Sequence, residues 1–228
     1  METQDKVPVI TVDGPGGAGK GTVSHILARR LGWHLLDSGA LYRLVGLGAL
    51  HRGIALDDEP ALAELARQLD VKFTGNGWND AGIVLDGADV SDAIRTELAG
   101  SAASRVAALP AVRLALLDRQ RQFRQPPGLV ADGRDMGTVI FPDARLKVFL
   151  QASREERAAR RYKQLKDKGI SVSLDALLKE IEERDVRDSG RSVAPMRPAE
   201  GAVIIDTTHM GIEEVVDSIL RAWANLAG

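Results

Sequence analysis

The chain has 228 residues, 44% apolar and 27% charged, the balance of a soluble globular protein rather than of a disordered one. Its formal net charge of −2 lacks the basic excess of a general nucleic-acid binder, and the absence of cysteine excludes disulfides, thiolate chemistry and cysteine-based zinc sites. The length suits one large α/β domain with inserted sub-domains.

Val7 to Val12 is an apolar, β-branched run that reads as a buried strand. A glycine-rich turn follows, then a helix from about Gly19 to Leu31 with Val23, Ile26, Leu27 and Leu31 on one face. His34 to Leu36 is a second strand, Gly39 to Arg52 a helix, and Pro60 to Leu69 another that starts on proline, where the missing N–H costs nothing. Val71 to Phe73, Ile83 to Leu85 and Val90 carry short β signals. Between them stand the turn formers Gly75, Asn76, Gly77, Asn79, Asp80, Gly82 and Gly87. This pattern predicts a small antiparallel sheet inserted between α/β elements.

Helices are expected from Ser91 to Leu109 and from Pro110 to Arg124, then strands at Leu129 to Ala131 and Leu146 to Leu150. Ser153 and Glu156 form a capping-box pattern that opens a basic helix to about Lys168. A polar helix from Ser173 to about Asp188, a strand at Ala202 to Ile205 and an amphipathic helix from Ile212 to Leu226 complete the chain. Five apolar strands separated by helices predict an α/β fold with a doubly wound, five-stranded parallel sheet, whose ligands bind at the carboxyl ends of the strands.

Gly14-Pro15-Gly16-Gly17-Ala18-Gly19-Lys20-Gly21-Thr22 joins the first strand to the first helix with the spacing of a phosphate-binding P-loop. Glycines let successive N–H groups turn toward one centre, the helix N-terminus adds partial positive charge, and Lys20 reaches the β- and γ-phosphates of ATP. Gly21 stands where the common pattern has Ser or Thr, so the Mg²⁺ expected with ATP is held mainly by phosphates and water. The four histidines, His25, His34, His51 and His209, have no metal-ligand spacing and read as surface or packing residues. Of the 30 basic residues, 22 are arginine, which suits bidentate phosphate contacts, although genomic base composition accounts for the same excess.

Two further motifs follow strands. In Asp37 to Arg43, Ser38 reads equally as a helix cap or an acceptor contact, and Arg43 as a phosphate contact or a solvated helix arginine. In Asp132-Gly133-Arg134-Asp135-Met136-Gly137, Arg134 could clamp an acceptor phosphate, and Asp135 could accept from an exocyclic amine as carboxylates do from cytosine N4; the bland alternative is an ion-pair turn. Downstream, Arg154, Arg157 and Arg161 share one helix face, as do Arg184, Arg187 and Arg191 on the next. Such stripes either close on the transferred phosphate or form solvated faces laced with ion pairs, for which Glu155, Glu156, Glu182 and Glu183 supply partners.

The Gly-Lys-Gly-Thr form of the loop resembles nucleoside monophosphate kinases. The stretches Asp37 to Arg43, Asp132 to Thr138 and Arg184 to Arg191 resemble bacterial cytidylate kinases, a likeness running from Val7 to about Asp206. The resemblance implies a core domain of residues 1–37, 105–152 and 195–228, a monophosphate-binding domain of 38–104 with the small sheet, and a helical lid of 153–194. It places cytosine reading on Ser104, Arg113 and Asp135, and acceptor phosphate and ribose contacts on Ser38, Arg43, Arg134, Arg184, Asp188 and Arg191. Lys20, Arg134, Arg160, Arg161, Arg184 and Arg187 are then the catalytic cations.

The implied activity is ATP-dependent phosphorylation of CMP and dCMP. The competing readings are a kinase for UMP or AMP, or a non-catalytic nucleotide-binding regulator. A GTP switch would need an Asn-Lys-x-Asp motif, which does not occur. No nucleic-acid or membrane partner, a monomeric state and a cytoplasmic location are expected. Met1 to Lys6 is short and charged, no signal peptide precedes the first strand, and no apolar run reaches the roughly 20 residues of a membrane span.

Overall fold

Parallel strands covered on both faces are written as continuous apolar runs, and the runs in this chain become the centre of a sheet. The computed structural model describes residues 7–74, 82–167 and 169–227. The predicted turn residues Gly75, Asn76, Gly77, Asn79 and Asp80, the segment Met1 to Lys6 and Lys168 lie outside the described residues. Strands β1 (Val9–Asp13), β2 (His34–Asp37), β6 (Leu129–Gly133), β7 (Leu146–Gln151) and β8 (Val203–Asp206) form one sheet in the order β2-β6-β1-β7-β8. β1 pairs in parallel with β6 and β7, and β7 with β8; every residue of β1 and β6 is buried. The crossover order is that of the expected doubly wound sheet, and the carboxyl ends of β1, β6 and β7 share one edge.

The chain divides into two units, one of residues 1–34 and 125–228 and the other of residues 35–124. In the first unit, α1 (Lys20–Leu31) packs on β6 and on α8 (Ile212–Ala227). Helices α6 (Arg154–Asp167) and α7 (Leu174–Ser189) form a hairpin with its own apolar centre of Ala158, Leu165 and Leu177, flanked by Val172, Leu178 and Ile181. The capping box is half formed. Ser153 Oγ accepts from Glu156 N at 3.1 Å, but Ser153 N donates to Thr208 Oγ1 and the Glu156 carboxylate pairs with Arg160 instead. One turn of π-helix, Met136–Ile140, follows β6 at a stretch that carries no helical pattern in the sequence.

The second unit holds α2 (Ser38–His51), α3 (Glu59–Arg67), α4 (Glu97–Val106) and α5 (Pro110–Arg121). It also holds the antiparallel sheet of β3 (Val71–Thr74), β4 (Gly82–Leu85) and β5 (Ala88–Asp89). α5, expected with the core domain, clusters here because it packs on α3. The cap of α2 is Asp37, whose carboxylate accepts from Ala40 N at 3.0 Å; Ser38 is the first helical residue, 3% exposed. The helix expected from Ser91 to Leu109 is interrupted. A 3₁₀ turn at Ala93–Arg95 ends at Thr96, whose extended backbone and side-chain acceptor, 3.2 Å from Ala99 N, start α4 afresh. Val90 is not a strand residue, though its N–H donates to Ile83 O. Among the described residues no single helix is long and apolar enough to cross a membrane.

Candidate active site

The loop Gly14 to Gly19 leaves the end of β1 and closes on the N-terminus of α1. Gly14 takes a φ of 141°, and a Cβ there would lie 2.0 Å from Leu150 O on β7, so the loop can pass the sheet edge only as glycine. Lys20, in the first turn of α1, is 6% exposed, and its ammonium donates to Pro15 O at 2.8 Å. A second loop carbonyl, Gly16 O, accepts from Arg157 Nη1 at 3.1 Å. A third, Ala18 O, lies 3.2 Å from Thr207 Oγ1. A Cβ added at Gly16 would lie 3.5 Å from Arg134 Nη2 and 3.8 Å from Arg184 Nη1. The β6 end and α7 therefore bring guanidinium groups to the loop beside Lys20.

Burial of Lys20 disfavours its charge and lowers its pKa to about 7; Arg134 and Arg184 act in the same direction, and Asp132 and Asp13 oppose them. Asp13, the last residue of β1, is 3% exposed and accepts from Met136 N and Gly137 N, both at 2.8 Å. Burial nonetheless pushes its carboxyl up to about 7, against those two N–H donors, with Asp135 adding repulsion and Lys20 attraction. The same two bonds fix the turn that presents Arg134 and Asp135, the latter 2% exposed.

The arginine stripes resolve into distinct roles. Asp188, 2% exposed, receives Arg134 Nε at 3.1 Å and pairs with Arg191, while Arg184 Nε stands 3.9 Å away. Burial would raise the Asp188 pKa, but the charges of Arg134, Arg191 and Arg184 outweigh it and hold the carboxyl below the usual carboxylate range. On α6, Arg154 pairs with Glu182 on an exposed face, which is the ion-pair lacing anticipated for that stripe. Arg157 is buried. Arg160 reaches Glu156 Oε1 at 2.8 Å and Thr207 O at 2.5 Å, and Arg161 donates to Gln164 at 3.2 Å. Arg187 is half-buried on α7.

Within the second unit, Ser104 on α4 and Arg113 on α5 are buried, at 3% and 7% exposure. Arg113 Nη1 donates to Ala107 O at 3.1 Å, and its Cζ lies 5.6 Å from the Tyr42 ring centroid, a cation–π contact that fixes the guanidinium plane. Arg43 is half-buried, with Nη1 donating to Ile94 O at 3.0 Å. Both guanidiniums are thus anchored on backbone carbonyls of their own unit.

Sequence reasoning passed over Asp13, the burial of Arg157, the pairing of Asp185 (read only as an acid interleaved in the second stripe) and Thr207. Asp13 left a signal, an acid closing an otherwise apolar strand. The others have none, because their partners are 141, 28 and 189 residues away along the chain. Asp132, 8% exposed, enters the sequence reading only as part of its motif; its Oδ2 would lie 3.6 Å from a Cβ added at Gly21, the position after the loop lysine. A strand-end carboxylate oxygen there is a donor suited to a hydrated Mg²⁺. Among the described residues no group of three or more His, Cys, Asp or Glu could form an all-protein cage.

A family model described as Cytidylate kinase matches residues 10–225. A cytidylate kinase of Pseudomonas aeruginosa (strain UCBPP-PA14) is 62% identical over 216 residues, covering 94% of each chain. One from Aeromonas hydrophila subsp. hydrophila is 60% identical over 213 residues, covering 93% of this chain and 92% of that one. One from Shewanella sediminis (strain HAW-EB3) is 59% identical over 217 residues, covering 95% and 94%.

Proposed function

The chain belongs to the cytidylate kinase family, and from that premise we propose that it transfers the γ-phosphoryl group of ATP to CMP and dCMP, giving ADP with CDP or dCDP. The observation that carries the chemistry is the grouping of Lys20, Arg134 and Arg184 around the loop at Gly16. A phosphate oxygen of the acceptor attacks the γ-phosphorus in line, a new P–O bond forms, and the bond to the β-phosphate oxygen breaks. No general base is required, because the attacking phosphate is already anionic near neutral pH. Lys20, Arg134 and Arg184 stabilise charge on the transferring group, and Arg160, Arg161 and Arg187 are the remaining cations of α6 and α7 assigned to it.

Bound ATP also answers the electrostatics of Lys20. Burial first, and then repulsion from Arg134 and Arg184, depress the lysine; the negative charge of a bound triphosphate acts in the opposite direction and favours the ammonium. Asp132, with phosphates and water, would hold Mg²⁺, which when bound would supply neutralisation of phosphate charge. On the acceptor side, Arg43, Arg134, Arg184 and Arg191 are assigned to the phosphate, Ser38 and Asp188 to the phosphate and ribose, and Ser104, Arg113 and Asp135 to cytosine. Residues 38–104 form the acceptor domain and 153–194 the lid of this reading. UMP and AMP kinase activities, and a purely regulatory role, are not favoured by the family. The reading extends to pyrimidine nucleotide metabolism in the cytoplasm and to a monomer.

A coupled ADP-release assay over a panel of ribo- and deoxyribonucleoside monophosphates tests it. CMP and dCMP are expected to turn over fastest. Preference for AMP or GMP would remove the base-reading assignment while leaving a kinase. Absence of ADP release with every acceptor would remove both.

A further inference from the structure

Arg157 lies on α6 with a side chain 4% exposed, and its guanidinium joins three parts of the first unit. Nε donates to Ala152 O, just past the end of β7, at 3.1 Å; Nη1 donates to Gly16 O in the phosphate loop, at 3.1 Å. The Nη1 and Nη2 edge grips the Asp185 carboxylate of α7 at 3.1 and 2.5 Å. The loop and the helix pass closely here: a Cβ added at Gly17, a residue with φ of 81°, would lie 3.0 Å from Arg157 Cβ.

The peptide joining Gly16 to Gly17 is trans, so its C=O and N–H point in opposite directions. A carbonyl held by Arg157 therefore turns the Gly17 N–H away from α6. We propose that Arg157 is a positioning residue. It holds the Gly16–Gly17 peptide so that the Gly17 N–H faces the phosphates, and Asp185 fixes the guanidinium that does this. This inference rests on the phosphate-binding reading of the loop.

The arrangement accounts for an arginine buried beside a cation-rich site. A guanidinium facing the outer side of the loop stabilises the carbonyl dipole, and the carboxylate of Asp185 balances its charge. It also makes the orientation of a loop amide depend on α7, which carries Arg184 and Asp188 on either side of the same turn. Lysine cannot replace the fork, because one ammonium cannot reach Ala152 O, Gly16 O and both carboxylate oxygens in the same geometry.

The test uses the full-length protein and ADP, with binding measured by titration calorimetry well below the thermal midpoint. In Arg157→Lys the dissociation constant for ADP is expected to rise about tenfold, the scale of one lost charge-assisted hydrogen bond. Asp185→Asn is expected to weaken ADP in the same direction, and the double variant to weaken it by less than the product of the two single effects, since both act through one guanidinium. In ¹⁵N spectra the Gly17 amide should shift in both variants and lose most of its response to ADP. A folded Arg157→Lys protein with unchanged ADP affinity, even one with a lowered thermal midpoint, overturns the proposal. Should Arg157→Lys not fold, unchanged affinity and an unmoved Gly17 amide in Asp185→Asn overturn it equally. Wild-type protein that binds no ADP would instead remove the reading on which the inference rests.

Discussion

Lys20 and Asp13 are each buried with their charges disfavoured, and both have an ionisation midpoint near neutrality. Lys20→Met should lower turnover by about two to three orders of magnitude, the cost of deleting a donor aimed at developing charge. Its thermal midpoint should hold or rise, because an apolar group replaces a desolvated cation. Near-normal turnover in the ADP-release assay would remove the role of Lys20. The two groups also set a pH dependence in nucleotide-free protein. A carboxyl raised from 3.8 to about 7 binds its proton more tightly in the native state, so its contribution to stability falls as pH rises through that window. An amine lowered from 10.5 to about 7 binds its proton less tightly when folded, so its contribution rises between those values. Thermal midpoints measured across pH should lose the first slope in Asp13→Asn and the second in Lys20→Met. Profiles parallel to wild type would show that the burial argument fails. At this scale the sequence disclosed residues whose chemistry is local. The loop glycines, Lys20, Arg134 and Asp135 could be named from their spacing, whereas the counter-charge that buries Arg157 lies on another helix, and nothing in the local pattern marks it.

Elements were legible where one periodic face or one cap decides them. Ser173, at the expected start of the polar helix, accepts from Ala176 N and caps α7; Asp58 and Thr96 cap α3 and α4 in the same way, from Ala61 N and Ala99 N, without being expected to. Thr96 was also where the sequence misled. A helical run extends through it, yet its hydroxyl accepts from Ala99 N and ends the preceding 3₁₀ turn, so local hydrogen bonding outweighed periodicity. The π-helical turn after β6 had no sequence signal because Asp13, on another strand, takes the Met136 and Gly137 N–H groups. Packing between elements makes a further test. Gly46 on α2 faces α4, where an added Cβ would lie 2.8 Å from Ala102 Cβ and 3.2 Å from its carbonyl carbon. Gly→Ala inside an open helix stabilises by about 1 kcal/mol. Here the methyl must force two helices apart, and a net loss of about 1–3 kcal/mol is expected. Urea midpoints decide the sign, and a raised midpoint would contradict the close approach.

For the whole molecule, the division into residues 1–34 with 125–228 and residues 35–124 predicts how destabilisation spreads. Gly46→Ala should accelerate amide exchange in α2 and α4 far more than in β1 and β7, because α2 packs on α3 and α4 within its own unit. Equal acceleration in β1 would mean that the two units open together. The sequence by itself determined the parallel sheet, the inserted antiparallel sheet and the glycine-rich loop, because these are written in short segments whose periodicity and spacing carry the physics; the resemblance to cytidylate kinases came from likeness of motifs. Tertiary structure alone decided which arginines meet the loop and which brace it. Arg134 and Arg184 reach the Gly16 site, Arg157 holds the loop from outside, and Arg154 pairs at the surface. A side chain's charge state and partners depend on burial and on residues brought close by folding, and neither is encoded in the stretch of chain around it.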